Sequence, residues 1–242
     1  MQNGLYVSLS AQISLERRLD TIAANIANAN TPGYRVDGVT FAAELAKAGD
    51  SKVSFVSEGD GYISRSSGPL IPTSNPLDMA IQGEGWFAVK AAGGGTIYTR
   101  DGRLTMDESG GLVSLTGAAV LDAAGAPIQL DPTAGAPAIE RDGMVTQKGR
   151  QIGAIGLFSL PETAKLTRAG TSGFLSDKAG NPILDFSANG IVQGAIEGAN
   201  VDPVREMTRL IEVTRTFDGV QNGVTQTENS LQDAIKTLGG AA

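Results

Sequence analysis

The feature that most constrains this chain is a pair of narrow apolar stripes, one at each end. Leu15, Leu19, Ile22, Ile26 and Ala29 fall at alternating steps of four and three residues, the spacing of a heptad seam along one helix face. Counting back gives Leu5, Ser8 and Gln12, a weaker continuation. Thr31 precedes Pro32, which biases its backbone out of the α region, and Gly33 follows; the helix is predicted to stop near Ala29 or Asn30. At the other end Met207, Leu210, Thr214, Phe217, Gln221, Val224, Glu228, Leu231, Ile235 and Leu238 repeat the same rhythm. Asp202-Pro203 opens that segment as an N-cap with proline at the first helical position. A stripe of this kind needs a partner helix, because a lone helix gains little in water. Either the two helices pair inside one ordinary domain, or they build a stem that also pairs with other subunits.

The second stripe carries its own constraints. Thr214, Gln221 and Glu228 interrupt it, and with Gln12 they are polar seam residues of the kind that fix register and partner at a cost in stability. Gly219 and Gly223 each cost about 1 kcal/mol inside a helix. That cost asks either for close approach of a neighbouring backbone or for a break. Asp202–Arg205, Glu206–Arg209 and Glu212–Arg215 are opposite charges three apart, read as a solvated ladder on the outer face.

Between the ends the pattern changes from helix to strand. Thirty-two glycines stand against one Trp, four Tyr and seven Phe, a composition of turns and thin β layers. Residues 36–68 read as a connecting arm, with Val53–Ser57 and Tyr62–Ser64 flanking the turn Glu58-Gly59-Asp60-Gly61 as a hairpin. Residues 69–198 read as a β-rich body. Its candidate strands are Met79–Ile81, Trp86–Lys90, Ile97–Arg100, Arg103–Met106, Leu112–Ser114 and Ala119–Leu121, then Gly153–Phe158, Gly173–Leu175, Ile183–Asp185 and Ile191–Ile196. Asp101-Gly102, between two alternating runs, reads as a type I′ hairpin turn. The fold class is therefore α+β: amino- and carboxy-terminal helices forming a coiled-coil-like stem, 1–35 and 199–242, around a central antiparallel body in the style of a small bent barrel or sandwich.

Chemistry is excluded more firmly than it is suggested. The chain has no histidine and no cysteine, which removes triad catalysis, imidazole acid–base work, disulfides and the usual zinc ligands. Gly83-x-Gly85 could open a dinucleotide fingerprint, but Trp86-Phe87-Ala88-Val89 reads as strand where the fingerprint needs a helix. Asp101, Asp107 and Glu108 sit at turn positions, and Glu58 and Asp60 lack calcium-loop spacing. No catalytic, cofactor or metal residue is assigned. The net charge is −7; residues 1–35 carry +1, 199–242 carry −2 and the middle −6, against a nucleic-acid surface. No apolar run approaches the ~20 residues that span a bilayer, and no cleaved secretory signal is visible.

Asn25-Ile26-Ala27-Asn28-Ala29-Asn30-Thr31-Pro32-Gly33-Tyr34 resembles the amino-terminal signature of the bacterial flagellar basal-body rod and hook family: an Asn-rich helix end, then Thr-x-Gly and an aromatic. The opening Met1–Ser10 looks like that of its proximal-rod members. Asn75–Phe87 is similar to the family's central motif, with Trp86 where Phe is more usual. Tyr98–Leu104 and Glu197–Val201 follow in the expected places. The resemblance implies a structural subunit with no substrate and no cofactor, exported unprocessed through the flagellum-specific channel to the rod in the periplasmic space. Its partners would be other rod subunits and copies of itself, with no nucleic acid, small molecule or membrane insertion. An assembly interface is then expected at Leu5, Leu9, Leu15, Leu19, Ile22, Asn25, Ile26, Asn28, Asn30, Met207, Leu210, Phe217, Val224, Leu231, Ile235 and Leu238. Alternatives are a distal-rod or hook subunit, or a secreted β-rich binding module on a helical stem. The last predicts a ligand groove using Trp86, Tyr62 or Tyr98.

Overall fold

The computed structural model describes residues 2–48 and 51–239, with side chains at 7–40, 61–230 and 232–239. The chain divides into two compact units, one of residues 1–27, 37–62 and 202–242, the other of 28–36 and 63–201.

The first unit holds helix α1, Gln2–Ala27, the strands β1, Asp37–Ala48, and β2, Ser51–Ile63, and helix α2, Pro203–Gly239. The local signals at the helix ends act as their chemistry dictates. The Asp202 carboxylate accepts the backbone N–H of Val204 and of Arg205, both at 3.1 Å, capping α2 one residue before Pro203. Strands β1 and β2 pair as a long two-stranded ribbon. Glu58-Gly59-Asp60-Gly61 lies inside β2 and is not a turn. The reason is that a two-stranded ribbon tolerates glycine in its run when each strand has a partner along its length. Helix α2 runs unbroken through Gly219 and Gly223, and a Cβ at either would meet nothing within 4 Å among the described residues outside the helix's own backbone. Among the described residues neither the break nor a close approach by this chain's own backbone occurs.

The second unit is antiparallel throughout its named pairings. Its strands are β3, Leu70–Pro72; β4, Met79–Gln82; β5, Trp86–Lys90; β6, Thr96–Thr99; β7, Leu104–Met106; β8, Leu112–Ser114; β9, Ala138–Ile139; and β10, Met144–Gln147. They continue as β11, Arg150–Ala154; β12, Leu157–Ser159; β13, Leu166–Ala169; β14, Gly173–Ser176; β15, Asn181–Pro182; β16, Gly190–Gln193; and β17, Ala195–Glu197. The largest sheet has the order β13-β14-β6-β5-β12-β15, joined by a three-stranded sheet and by the ribbons β16-β4, β17-β3 and β7-β8. Strand β5 explains the layering. Its side chains alternate, so Phe87 and Val89 enter one core with Met79, Ile81, Leu112, Val120 and Leu157. Trp86 and Ala88 enter a second core with Tyr98, Phe158 and Phe174.

Several sequence expectations are corrected here. Asp101-Gly102 is not a hairpin turn, because β6 pairs with β5 and β14 whereas β7 pairs with β8. Gly102 is required for closeness, not for turn geometry: a Cβ would stand 1.7 Å from the Met79 carbonyl oxygen. Met79 N–H donates to the Gly102 carbonyl at 2.9 Å in that contact. The run 153–158 is two strands, β11 and β12, in different sheets, and 191–196 divides at Gly194 into β16 and β17. The strand expected at 183–185 forms two residues earlier, at Asn181–Pro182. Gly83 and Gly85, with φ of 90° and 121°, make the tight turn before β5, and no helix follows them.

Beneath the second core lies a buried charge cluster. Glu197 is fully buried and takes Arg35 Nη2 at 2.6 Å and Arg100 Nη1 at 2.8 Å. Two cations thus share one carboxylate, and the surplus is offset by the Trp86 ring, 5.7 Å from the Arg35 guanidinium carbon and 5.5 Å from that of Arg100. Burial pushes the Arg100 guanidinium below its ordinary pKa; Glu197 opposes the shift and the Arg35 charge adds to it.

Candidate assembly surface

The two terminal helices lie side by side in the first unit. Gln12 Nε2 donates to Gln221 Oε1, and Asn25 Nδ2 to Glu206 Oε2 at 3.3 Å. As residue number rises along α1 it falls along α2, so the helices are antiparallel. Among the described side chains of this unit the buried apolar centre is Ile22 and Val213, each 4% exposed. Around it Leu15, Leu19, Ile26, Leu210, Phe217, Val220 and Val224 are half-buried.

Asn25 is the polar pivot of this unit. Its amide nitrogen also donates to the Asp37 carbonyl at 2.9 Å, and its oxygen accepts the Asp37 N–H at 3.0 Å. One side chain therefore ties the end of α1, the start of β1 and the first turn of α2. Asparagine suits this position because it offers donor and acceptor together. Glu206 is buried, only 4% exposed, and pairs with Arg209. That pair was expected on the solvated face.

The expected interface residues separate by exposure. Leu9, Met207, Ile235 and Leu238 are 51, 47, 69 and 82% exposed, and Ile13, Val204 and Ile211 join them outside the expected set. Ile22 and Asn25 are buried, and Leu15, Leu19, Ile26, Leu210, Phe217 and Val224 are covered in part by this chain itself. Asn28 accepts the Thr31 N–H and hydroxyl, closing the turn after α1, and Asn30 is exposed. The side chains of Leu5 and Leu231 lie outside the described residues.

On α2 the inward face is 206, 210, 213, 217, 220 and 224, again in steps of four and three. The sequence stripe shared 210, 217 and 224 but took its companions from 207, 214 and 221; 207 and 214 are exposed, and Gln221 meets α1 only at the exposed rim, through Gln12. The overlooked signal was in the residue types, since Val213 and Val220 are apolar where Thr214 and Gln221 are polar.

The body's candidate side chains take structural places. Trp86 and Tyr98 are buried in the second core; Tyr62 is exposed and its ring lies over Gly38. Asp107 accepts the N–H and hydroxyl of Ser109 and the N–H of Gly111, and Asp101 pairs with Arg103 at 2.7 Å. Among the described residues no group of three or more acidic side chains could hold a metal ion, and no helix is long and apolar enough to cross a membrane.

Three family models match in chain order. Residues 5–35 match the flagella basal body rod protein family, residues 80–147 the flagellar hook protein FlgE/F/G D1 domain, and residues 192–237 the flagellar basal body rod FlgEFG protein C-terminal family. The flagellar basal-body rod protein FlgF of Mesorhizobium japonicum is 49% identical over 239 residues, covering 99% of both chains. Its namesake in Rhizobium meliloti is 44% identical over the whole of both chains, and that of Caulobacter vibrioides 38% identical over 99% of both. These similarities agree on one conclusion: the chain belongs to the flagellar basal-body rod protein family, as a FlgF-like structural subunit.

Proposed function

We propose that this protein is a proximal-rod subunit whose terminal helices form a coiled-coil-like stem, pair with neighbouring subunits to make the wall of the rod, and transmit torque. The β-rich body, 69–198, decorates the outside, and the arm, 36–68, reaches between subunits. The chain would reach the periplasmic space through the flagellar export channel without losing a signal peptide. The observation that carries this reading is the apolar surface that the helix pair leaves bare: Leu9, Ile13, Met207, Ile211, Ile235 and Leu238. Fully burying an exposed side chain of this kind contributes about 1.5–3 kcal/mol, and one already half covered about half as much, so a few per subunit suffice when the contact repeats along a tube. Leu15, Leu19, Ile22, Ile26, Leu210, Phe217 and Val224 hold the pair together and set the angle at which the bare face is presented.

Ile235→Glu tests the reading. It places a charge on the bare face of α2, where the isolated subunit leaves the side chain 69% exposed. The purified variant should melt like the parent, whereas cells carrying it in place of the parent should build no filaments and not swim. Gln232→Glu, also at an exposed position, serves as the tolerated control. Normal swimming by Ile235→Glu would remove α2 from the wall, and loss of helix in the purified variant would make Ile235 an internal residue.

A further inference from the structure

The chain passes between its two units after residues 27, 36, 62 and 201. On the side of the body, the segments next to these passages are laced by two side chains. The Glu197 carboxylate takes Arg35, Arg100 and, at 2.7 Å, the Gly68 N–H. Its carbonyl takes the Gly33 N–H at 2.8 Å. Three residues on, Asn200 Oδ1 accepts the Val36 N–H at 2.8 Å, and Asn200 Nδ2 donates to the Ser66 carbonyl at 2.8 Å and to the Ser64 hydroxyl at 3.1 Å. Two backbone bonds close the weave, Ser64 N–H to the Val36 carbonyl at 2.9 Å and Asn200 N–H to the Tyr34 carbonyl at 3.3 Å. Segments 33–36, 64–68 and 197–200 are thereby joined side by side, far apart in sequence and next to three of the four points where the chain leaves the body.

We propose that Glu197 and Asn200 form a mechanical clamp that binds these segments into one element, so that a pull on one is shared by all three and none peels away singly. Bonds arranged at one crossing must break together, whereas bonds spaced along a strand break one after another. The buried ion pairs make the clamp brittle in the useful sense: Glu197 cannot leave Arg35 and Arg100 without stranding two cations away from water. The inference deepens the rod-subunit reading, in which force enters the body along these segments, but its test uses the purified chain and does not depend on assembly.

The experiment is amide exchange and trypsin cleavage of full-length Asn200→Ala. Arg35 is fully buried, so trypsin reaches the bond after it only when the clamp opens. We expect cleavage there to rise at least tenfold. Exchange at Gly33, Val36 and Gly68 should rise together, while Leu112 and Val120 in the first core stay at the parent rate. Asn200 touches only Val36 of those three amides, so a shared rise is the signature of one cooperative element. A rise at Val36 alone, or unchanged cleavage after Arg35, overturns the proposal. If Leu112 and Val120 also accelerate, the body has unfolded, and Ser64→Ala, which removes one bond of the Asn200 amide, is read by the same criteria.

Discussion

Asn25→Ala separates a residue that holds the subunit together from one that holds subunits to each other. Asn25 is 1% exposed, and its hydrogen bonds include two to the Asp37 backbone and one to the Glu206 carboxylate. Neutral bonds contribute about 1 kcal/mol each and a bond to a charged group about 1.5–3 kcal/mol. Truncation also takes the Asn25 amide away from the Asp37 N–H and carbonyl, although water entering the vacated space recovers part of that loss. We therefore expect the helix unit to lose about 3–5 kcal/mol, comparable with what the two buried apolar side chains among its described residues, Ile22 and Val213, supply. The assay is urea unfolding of the purified chain followed by circular dichroism at the helix band, with amide exchange to place the loss. Protection should fall along the second half of α1 and the first turns of α2, while the amides of β5 and β6 keep theirs. Asn25→Asp is a harsher companion, because it removes the donor and sets a second carboxylate beside Glu206. A loss below about 1 kcal/mol for Asn25→Ala, with rod assembly abolished, would refute the reasoning and return Asn25 to the intersubunit interface.

Other outcomes follow from single positions. Gly219→Ala with Gly223→Ala should raise the helix content of the purified subunit and stabilise it by about 1 kcal/mol per site, since among the described residues nothing outside the helix's own backbone lies near either position; unchanged helicity would contradict the continuous α2. Gly102→Ala should destabilise the body by about 3 kcal/mol, at the upper end for overpacking, with Trp86 emission reporting a lower melting temperature; a neutral result would contradict the contact with Met79. Hydrogen bonds from Ser109, Thr133 and Ser187 hold the carboxyls of Asp107, Asp131 and Asp185 below the ordinary carboxylate range. A depressed carboxyl contributes stability that is present above its unfolded pKa and is lost as pH falls through the folded value. The three should therefore titrate by carbon NMR below an unstructured aspartate, and the body should weaken only under strongly acidic conditions; titration at or above the ordinary range would refute this.

What could be read without coordinates was what is local. The cap at Asp202, the stop after α1 and the turn before β5 each depend on a few adjacent residues whose backbone preferences agree. The exclusion of imidazole and thiol chemistry needed only an inventory. Asp101-Gly102 misled because a glycine demanded by Met79 across the fold looks the same in sequence as one demanded by a tight turn. The face of α2 was half legible: 210, 217 and 224 belong to both candidate stripes, and only the identity of their companions decides between them. Arg35 and Glu197 meet across 162 residues, and no spacing rule reaches that far. Glu206 looked like one more surface acid, because its burial depends on Asn25 in the other helix.

The inequality of the two helices has a consequence for anything built from them. Helix α1 has 26 residues and α2 has 37, and the pairs Gln12–Gln221 and Asn25–Glu206 fix how they are aligned. Continued at that alignment, the start of α1 falls opposite the region around Leu231, so the last two turns of α2 project beyond it by roughly 12 Å at 1.5 Å per residue. Ile235 and Leu238 sit on that tongue. A piece with a projecting tongue makes a lap joint, where a piece with flush ends makes a butt joint. In a wall of lapped pieces no single plane passes between all the subunits, so a twist that would open a flush seam must instead shear overlapping helices past one another.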